Sequence, residues 1–302
     1  MMECESSALP ALSPSELSRL TARTFVAEVE YHEVIGSTND RAKELAERGP
    51  VRLPVLVIAQ RQTAGRGRGE NRWWTGAGSL ALSVLLDLKR FGVGAIHTPL
   101  VSLAAGIAVV EAVRACVPRF PLGLHWPNDV YLAGGKLAGI LVESTAGGLH
   151  VLGIGINANN TAAQAPAELH SRVATLRDIS GRYHDPAAIL HRLLQGLETW
   201  LGRLGKMPHQ VGRQANELCL QRGRLVCLRH LEGTAEGVCA GIAADGALVL
   251  QTRGGQQAFY AGSVVEMARG LENPGSDQAG SMKGKERGAN PPDCGHGPLA
   301  PH

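Results

Sequence analysis

Two glycine pairs, Gly134-Gly135 and Gly147-Gly148, divide the apolar sequence between Leu124 and Asn157 into short runs. Paired glycines between runs of Val, Ile and Leu accept the positive φ angles that tight hairpin turns need. Strands near Leu124, near Val130, over Leu137–Glu143 and over Leu149–Asn157 should therefore fold back on one another. This is the strongest constraint in the chain, and it makes the central sheet largely antiparallel.

Other patterns attach to this sheet. Glu28–Val34 and Pro54–Gln60 read as strands flanking a helix over Thr38–Arg48, and Ser79–Leu86 is a further strand. A helix follows over Thr98–Cys116. Asp185 and Pro186 are the N-cap and first residue of another, whose Leu190, Leu193, Leu194, Leu197, Leu201 and Leu204 share one face. After about Leu220 the helical period gives way to short strands over Leu225–Arg229, Thr234–Ile242, Ala247–Gln251 and Gln256–Tyr260. Asp245-Gly246 and Gly254-Gly255 are their turns. The expected fold class is α+β, a mixed but largely antiparallel sheet with helices grouped against it, followed by a small all-β module of barrel type.

The ends differ from this body. Residues 1–24 read as a flexible leader with one weak helical stretch, with no room for a helix-turn-helix; residues 269–302, rich in Gly, Pro, Ser and Lys, read as a disordered tail. The units between are 25–219 and 220–268. A net charge of +3 is too small to argue for bulk nucleic-acid binding, so any electrostatic function must be local. The N-terminus lacks the pattern of a signal peptide. The most apolar stretch, Leu100–Val117, carries Glu111 and Arg114 one turn apart and reads as a buried helix, not a membrane span. Six scattered cysteines without a Cys-x-x-Cys pair suggest reduced thiols and a cytoplasmic protein. Cys294, His296 and His302 lack a rigid frame and are not read as a metal site.

Four segments carry candidate chemistry. In Gly65-Arg66-Gly67-Arg68-Gly69, glycines allow close backbone approach and arginines bring positive charge. The segment fits neither a P-loop nor a dinucleotide fingerprint, so an anion site and a basic RNA-contacting loop both stay open. In Trp126-Pro127-Asn128-Asp129, followed by Gly135-Lys136-Leu137-Ala138-Gly139, a hairpin should bring the Lys136 ammonium back to Asp129. That pair is either a surface ion pair or a charge-stabilising site. Gly153-Ile154-Gly155-Ile156-Asn157 places glycines inside a strand, a mark of close approach by a backbone or ligand. Ser37-Thr38-Asn39-Asp40 can start a helix as a capping box.

In this order and spacing, over about residues 28–268, the four segments resemble the biotin–protein ligases. The resemblance implies a fold related to class II aminoacyl-tRNA synthetases, with an SH3-like C-terminal barrel. It implies a two-step reaction: biotin and ATP, with Mg²⁺, give biotinyl-5′-AMP, and the biotin then passes to a lysine of a biotin carboxyl carrier protein. By resemblance Lys136 is the principal catalytic lysine, assisted by Arg66 and Arg68. Ser37, Thr38, Asn39, Gln62, Gly65, Arg66, Lys136 and Gly139 bind biotin. Arg68, Trp73, Asn128, Asp129 and Asn157 bind the nucleotide, Trp73 packing on adenine, and Asp129 is the metal or base partner.

The pattern departs from the family at Glu70, which adds negative charge to the loop, and at His125, where a lysine is common. At Ser263 no role is carried over. The short leader implies a ligase without DNA binding, acting as monomer or homodimer and without a membrane. Three rivals remain: a lipoate ligase, a non-enzymatic nucleotide- or RNA-binding module, and a biotin-sensing repressor.

Overall fold

The computed structural model describes residues 12–266. Its elements in chain order are α1 (Pro14–Arg23), β1 (Glu28–Ile35), α2 (Thr38–Glu47), β2 (Val55–Gln62), β3 (Leu80–Leu86), α3 (Val101–Arg114), β4 (Leu122–His125), β5 (Asp129–Leu132), β6 (Gly135–Ser144), β7 (His150–Ile156), α4 (Leu176–Ser180), α5 (Pro186–Lys206) and α6 (Pro208–Glu217). The C-terminal module adds β8 (Leu225–His230), β9 (Gly233–Ile242), β10 (Leu248–Thr252), β11 (Gly255–Phe259) and β12 (Ser263–Glu266).

The first sheet has seven strands in the order β1-β2-β3-β7-β6-β5-β4. Only β1 and β2, joined through α2, run parallel; every other pair is antiparallel. The glycine pairs divide their labour in a way that composition did not reveal. Ala133 and Gly134, with φ of 50° and 90°, turn the chain between β5 and β6. Gly135 already belongs to β6, where a Cβ would meet Ala174 at 2.9 Å.

Helices α3 and α5 pack together against the sheet. The six leucines expected on one face of α5 are all fully buried, each contributing about 2 kcal/mol of hydrophobic transfer. Asp185 caps α5 by accepting the Ala187 N–H at 2.9 Å. Ala95–Arg114 is long and apolar enough to cross a membrane, but most of it is buried inside the fold. Two of its polar residues lie away from that buried part: exposed Glu111 accepts from the Trp200 indole at 2.9 Å, and half-buried Arg114 donates to the Leu122 carbonyl at 2.8 Å. The helix starts at Val101, later than expected, because Pro99 sits in a 3-10 turn over Ala95–Leu100.

Two expectations need correction. The leader assigned to residues 1–24 is ordered over its second half. Ser13 and Glu16 form a reciprocal capping box on α1, and Leu20 is buried in the main core. The C-terminal module has five strands, not four, ordered β11-β10-β9-β8-β12. The short β12 carries too little pattern to be read from sequence. The tail expected over 269–302 lies outside the described residues.

The module is clipped to the β4–β5 hairpin. Leu124 donates to the Leu218 carbonyl at 2.7 Å and accepts from Leu220 N–H at 3.0 Å. The Trp126 N–H donates to the Gln221 side chain at 2.8 Å, and its indole donates to the Gly246 carbonyl at 3.0 Å. Gly123 permits this approach, since a Cβ there would strike the Leu218 carbonyl.

Candidate active site

Cross-strand pairing explains the floor of the main cleft. Ala81, Gly155, Gly139 and Asp129 stand side by side across β3, β7, β6 and β5, and Ser83, Gly153 and Leu141 form the next row. Directly opposed residues share a face, so three glycines hollow out one side of the sheet. A Cβ at Gly153 would collide with the Asn39 amide, and one at Gly155 with the Trp73 indole. The resulting cavity measures about 1420 Å³. That exceeds the ~300–1,000 Å³ of a typical single-ligand pocket and leaves room for two reactants.

Lys136 reaches this floor through a bulge. Val130 pairs with Ala138, but Tyr131 pairs with Lys136, so β6 carries one extra residue. Strict alternation would put Lys136 on the face opposite Gly139; the bulge restores it to the cleft. Its Nζ then lies 2.8 Å from Asp129 Oδ2, the pairing the hairpin implied. The other carboxylate oxygen of Asp129 is buried without a hydrogen-bond partner. Lys136 also stands 5.8 Å from the Trp73 ring centre.

The wall comes from the start of α2. Ser37 caps the helix, accepting the Asp40 N–H at 3.4 Å, and Ser37, Thr38 and Asn39 also line the cleft. Capping and ligand contact are thus compatible roles of one segment. All three are buried. The Thr38 N–H donates to Gln62 Oε1 at 2.8 Å, and the Asn39 amide donates to Glu143 Oε2 at 2.8 Å.

The rim is the arginine loop. The Gly67 N–H donates to the Asn71 carbonyl at 2.8 Å, and Gly69 adopts φ of 62°, so residues 66–72 form a tight hairpin. Gly65 lies behind the rim, where a Cβ would strike the Trp73 carbonyl. Arg66 points to Asp40 at 2.7 Å and Glu143 at 3.0 Å. Its hydrogen bond to Asp40 raises its pKa, against the cost of partial burial. Arg68 donates to Asn128 Oδ1 at 3.1 Å and to the Gly262 carbonyl at 3.2 Å, tying the rim to the C-terminal module. That module also brings Arg229 and Ser263 to the cleft. Trp73 lies against Gly139 and Gly155 on the floor, its indole N–H buried without a partner. Asn157 sits at the end of β7, its amide donating to the Lys136 carbonyl at 3.2 Å.

The structure therefore gathers the predicted residues around one cleft, Gly65 alone among them supporting it from behind. Two residues escaped sequence reasoning. Glu143 receives Asn39, Lys43 and Arg66 together. Burial would raise its pKa, but those hydrogen bonds and positive charges outweigh it and hold the carboxyl below its usual value. Ser83, fully buried, contacts Thr38 and Asn39. The period-2 spacing of Glu143 from Gly139 was a usable signal; a serine within an apolar strand was not. Among the described residues no cluster of three or more His, Cys, Asp or Glu could hold a metal ion. Asp129 offers one carboxylate, which suits a Mg²⁺ carried mainly by phosphates and water and does not suit a resident metal.

The biotin/lipoate A/B protein ligase family model matches residues 31–159, and the biotin protein ligase C-terminal domain model matches residues 223–265. The chain is 34% identical over 241 residues to the biotin–[acetyl-CoA-carboxylase] ligase of Mycobacterium tuberculosis, covering 77% of this chain and 86% of that protein. It is 32% identical to the bifunctional ligase/repressor BirA of Bacillus spizizenii, over 78% of this chain and 72% of that one. The biotin protein ligase of Aquifex aeolicus, solved in complex with biotin and ATP, superposes with a TM-score of 0.71 at 28% identity, covering 80% of this chain and all of that one. By sequence, domain content and fold, the chain belongs to the biotin protein ligase family.

Proposed function

We propose that this protein joins biotin to AMP at the expense of ATP and passes the biotin to a lysine of a biotin carboxyl carrier protein. The observation that carries the reading is the Lys136–Asp129 pair on a glycine floor, between the polar wall of Ser37–Asn39 and the arginine rim. In the first step a biotin carboxylate oxygen attacks the α-phosphorus of ATP; the bond to the bridging oxygen breaks and pyrophosphate leaves. Two anions must approach, so cationic donors are needed where charge develops. Lys136 supplies one from the floor, and Arg66 and Arg68 supply others from the rim.

In the second step the carrier amine attacks the acyl carbon of the adenylate, loses a proton and expels AMP. Asp129 is the nearest carboxylate to Lys136, which makes it the candidate partner for Mg²⁺ on the phosphates or for that proton. Trp73, Asn128 and Asn157 form the nucleotide side. The apolar bulk of Trp73 and Trp74 on the cleft helps exclude water from a hydrolysable adenylate. The free cysteines among the described residues suit a reducing cytoplasm.

The test is biotin-dependent exchange of pyrophosphate into ATP by the purified protein. Exchange with biotin and none with lipoate is expected. Exchange with lipoate alone would overturn the assignment, and exchange with neither would favour a binding module.

A further inference from the structure

The joint between the catalytic domain and the C-terminal module holds a reactive group that the proposed reaction does not use. Cys219 lies on the segment 218–224 between α6 and β8, the strap that is hydrogen-bonded to Leu124 and Trp126. Cys239 belongs to β9 and is pinned to the same strap. Its N–H donates to the Arg224 carbonyl at 2.9 Å, and its carbonyl accepts the Gly223 N–H at 2.8 Å. The chain between the two cysteines thus doubles back, and their thiols meet as a hydrogen-bonded pair, only 9% and 1% exposed.

Three donors converge on the Cys219 sulfur: the Cys239 S–H and the backbone N–H groups of Gln221 and Arg222, with the Arg222 charge nearby. A nest of donors of this kind favours a thiolate over a thiol. The hydrogen bond from Cys239 leads in lowering the Cys219 pKa to about 7, against the opposing effect of burial. Cys239, the donor in that bond, is held as the thiol. Burial pushes the Cys116 thiol up instead. One sulfur of the pair is therefore prepared as a nucleophile, and its neighbour stands where it can resolve the product.

We propose that Cys219 and Cys239 are a peroxide-reactive thiol pair, reversibly converted to a disulfide that staples the C-terminal module to the strap. The Cys219 thiolate attacks one peroxide oxygen, the O–O bond breaks, and hydroxide leaves and is protonated to water. The Cys239 sulfur then attacks the Cys219 sulfur of the sulfenic acid. The S–O bond breaks, and the oxygen departs with the Cys239 proton as a second water. The thiols together lose two electrons and two protons, and hydrogen peroxide is reduced to water. The new bond closes a loop of about twenty residues, which constrains the unfolded chain. In a reducing compartment such a cross-link is transient, of the redox-sensing kind.

The test treats the full chain with hydrogen peroxide and maps the products by mass spectrometry. Wild type should yield peptides linked through Cys219 and Cys239, with Tm raised by about 5–10 °C. Dithiothreitol should reverse both changes. Cys239→Ser removes the resolving thiol, so Tm should not rise, and Cys219 should collect oxygen as a sulfinic acid that dithiothreitol does not remove. Cys219→Ser should leave Cys239 unmodified, and it carries the comparison if the first variant does not fold.

Oxidation of wild type confined to other cysteines would overturn the pair, and linked peptides with an unchanged Tm would overturn the staple. None of these readouts involves biotin or ATP, so their outcome is independent of the proposed function.

Discussion

The wall at Ser37–Asn39 and the rim at Arg66–Arg72 border the same cleft but are built on opposite physical terms. On the wall, Thr38, Asn39 and Ser83 are 3%, 5% and 0% exposed, and their hydrogen bonds interlock. On the rim, the paired side chains of Arg66 and Asp40 keep 41% and 48% of their exposure. A buried, interlocked polar network is stiff and costly to disrupt, which would suit recognition of a neutral ring under the proposed function. Exposed ion pairs are weak and exchange partners readily, which suits a group that must turn from Glu143 or Asp40 to an incoming phosphate. Under the proposed function, selectivity would reside in the preformed half and charge handling in the adjustable half.

Lys136 belongs to neither border, and its removal should have the largest effect. Lys136→Ala is expected to slow single-turnover adenylation by about 10²–10³-fold in a folded protein. An unchanged rate would leave the arginines as the only source of charge stabilisation.

Gly153→Ala should have an intermediate effect by breaking the wall. Its Cβ would displace the Asn39 amide, and overpacking of ~1–3 kcal/mol, taken from ligand binding, weakens biotin affinity by roughly ten- to a hundredfold. Calorimetric titration with biotin checks this, and wild-type affinity would show that the wall is not preformed. Asp40→Asn should have the smallest effect. The exposed pair with Arg66 contributes under about 1 kcal/mol, so the KM for biotin should move less than about threefold. A larger change would mean that the rim is as rigid as the wall.

Much of this site was legible in the sequence because its parts are local. Gly134 and Gly147-Gly148 marked the hairpins, Ser37 marked a helix start, and the arginine loop announced itself by composition. Two parts were not legible, for different reasons. Alternation assigns Lys136 and Gly139 to opposite faces, and only the register jump between β5 and β6 unites them. Ser83 looks like one polar residue in an apolar strand, and its meaning comes from Asn39 and Glu143, brought beside it by α2 and β6. Likewise α1 reads as a weak helix in sequence, and the burial of Leu20 in the core comes only with the fold.

By itself, then, the sequence determined the antiparallel core, the buried face of α5, the β-rich C-terminal module and the residue types needed for phosphate chemistry. These depend on turn propensity, hydrophobic period and side-chain charge, all of which act over a few residues. Only the tertiary structure decided which face Lys136 occupies, that Ser83 and Glu143 meet Asn39, and that Arg68 reaches the C-terminal module. Those depend on strand register and on partners far apart in the chain, where a single inserted residue reverses the face a side chain occupies.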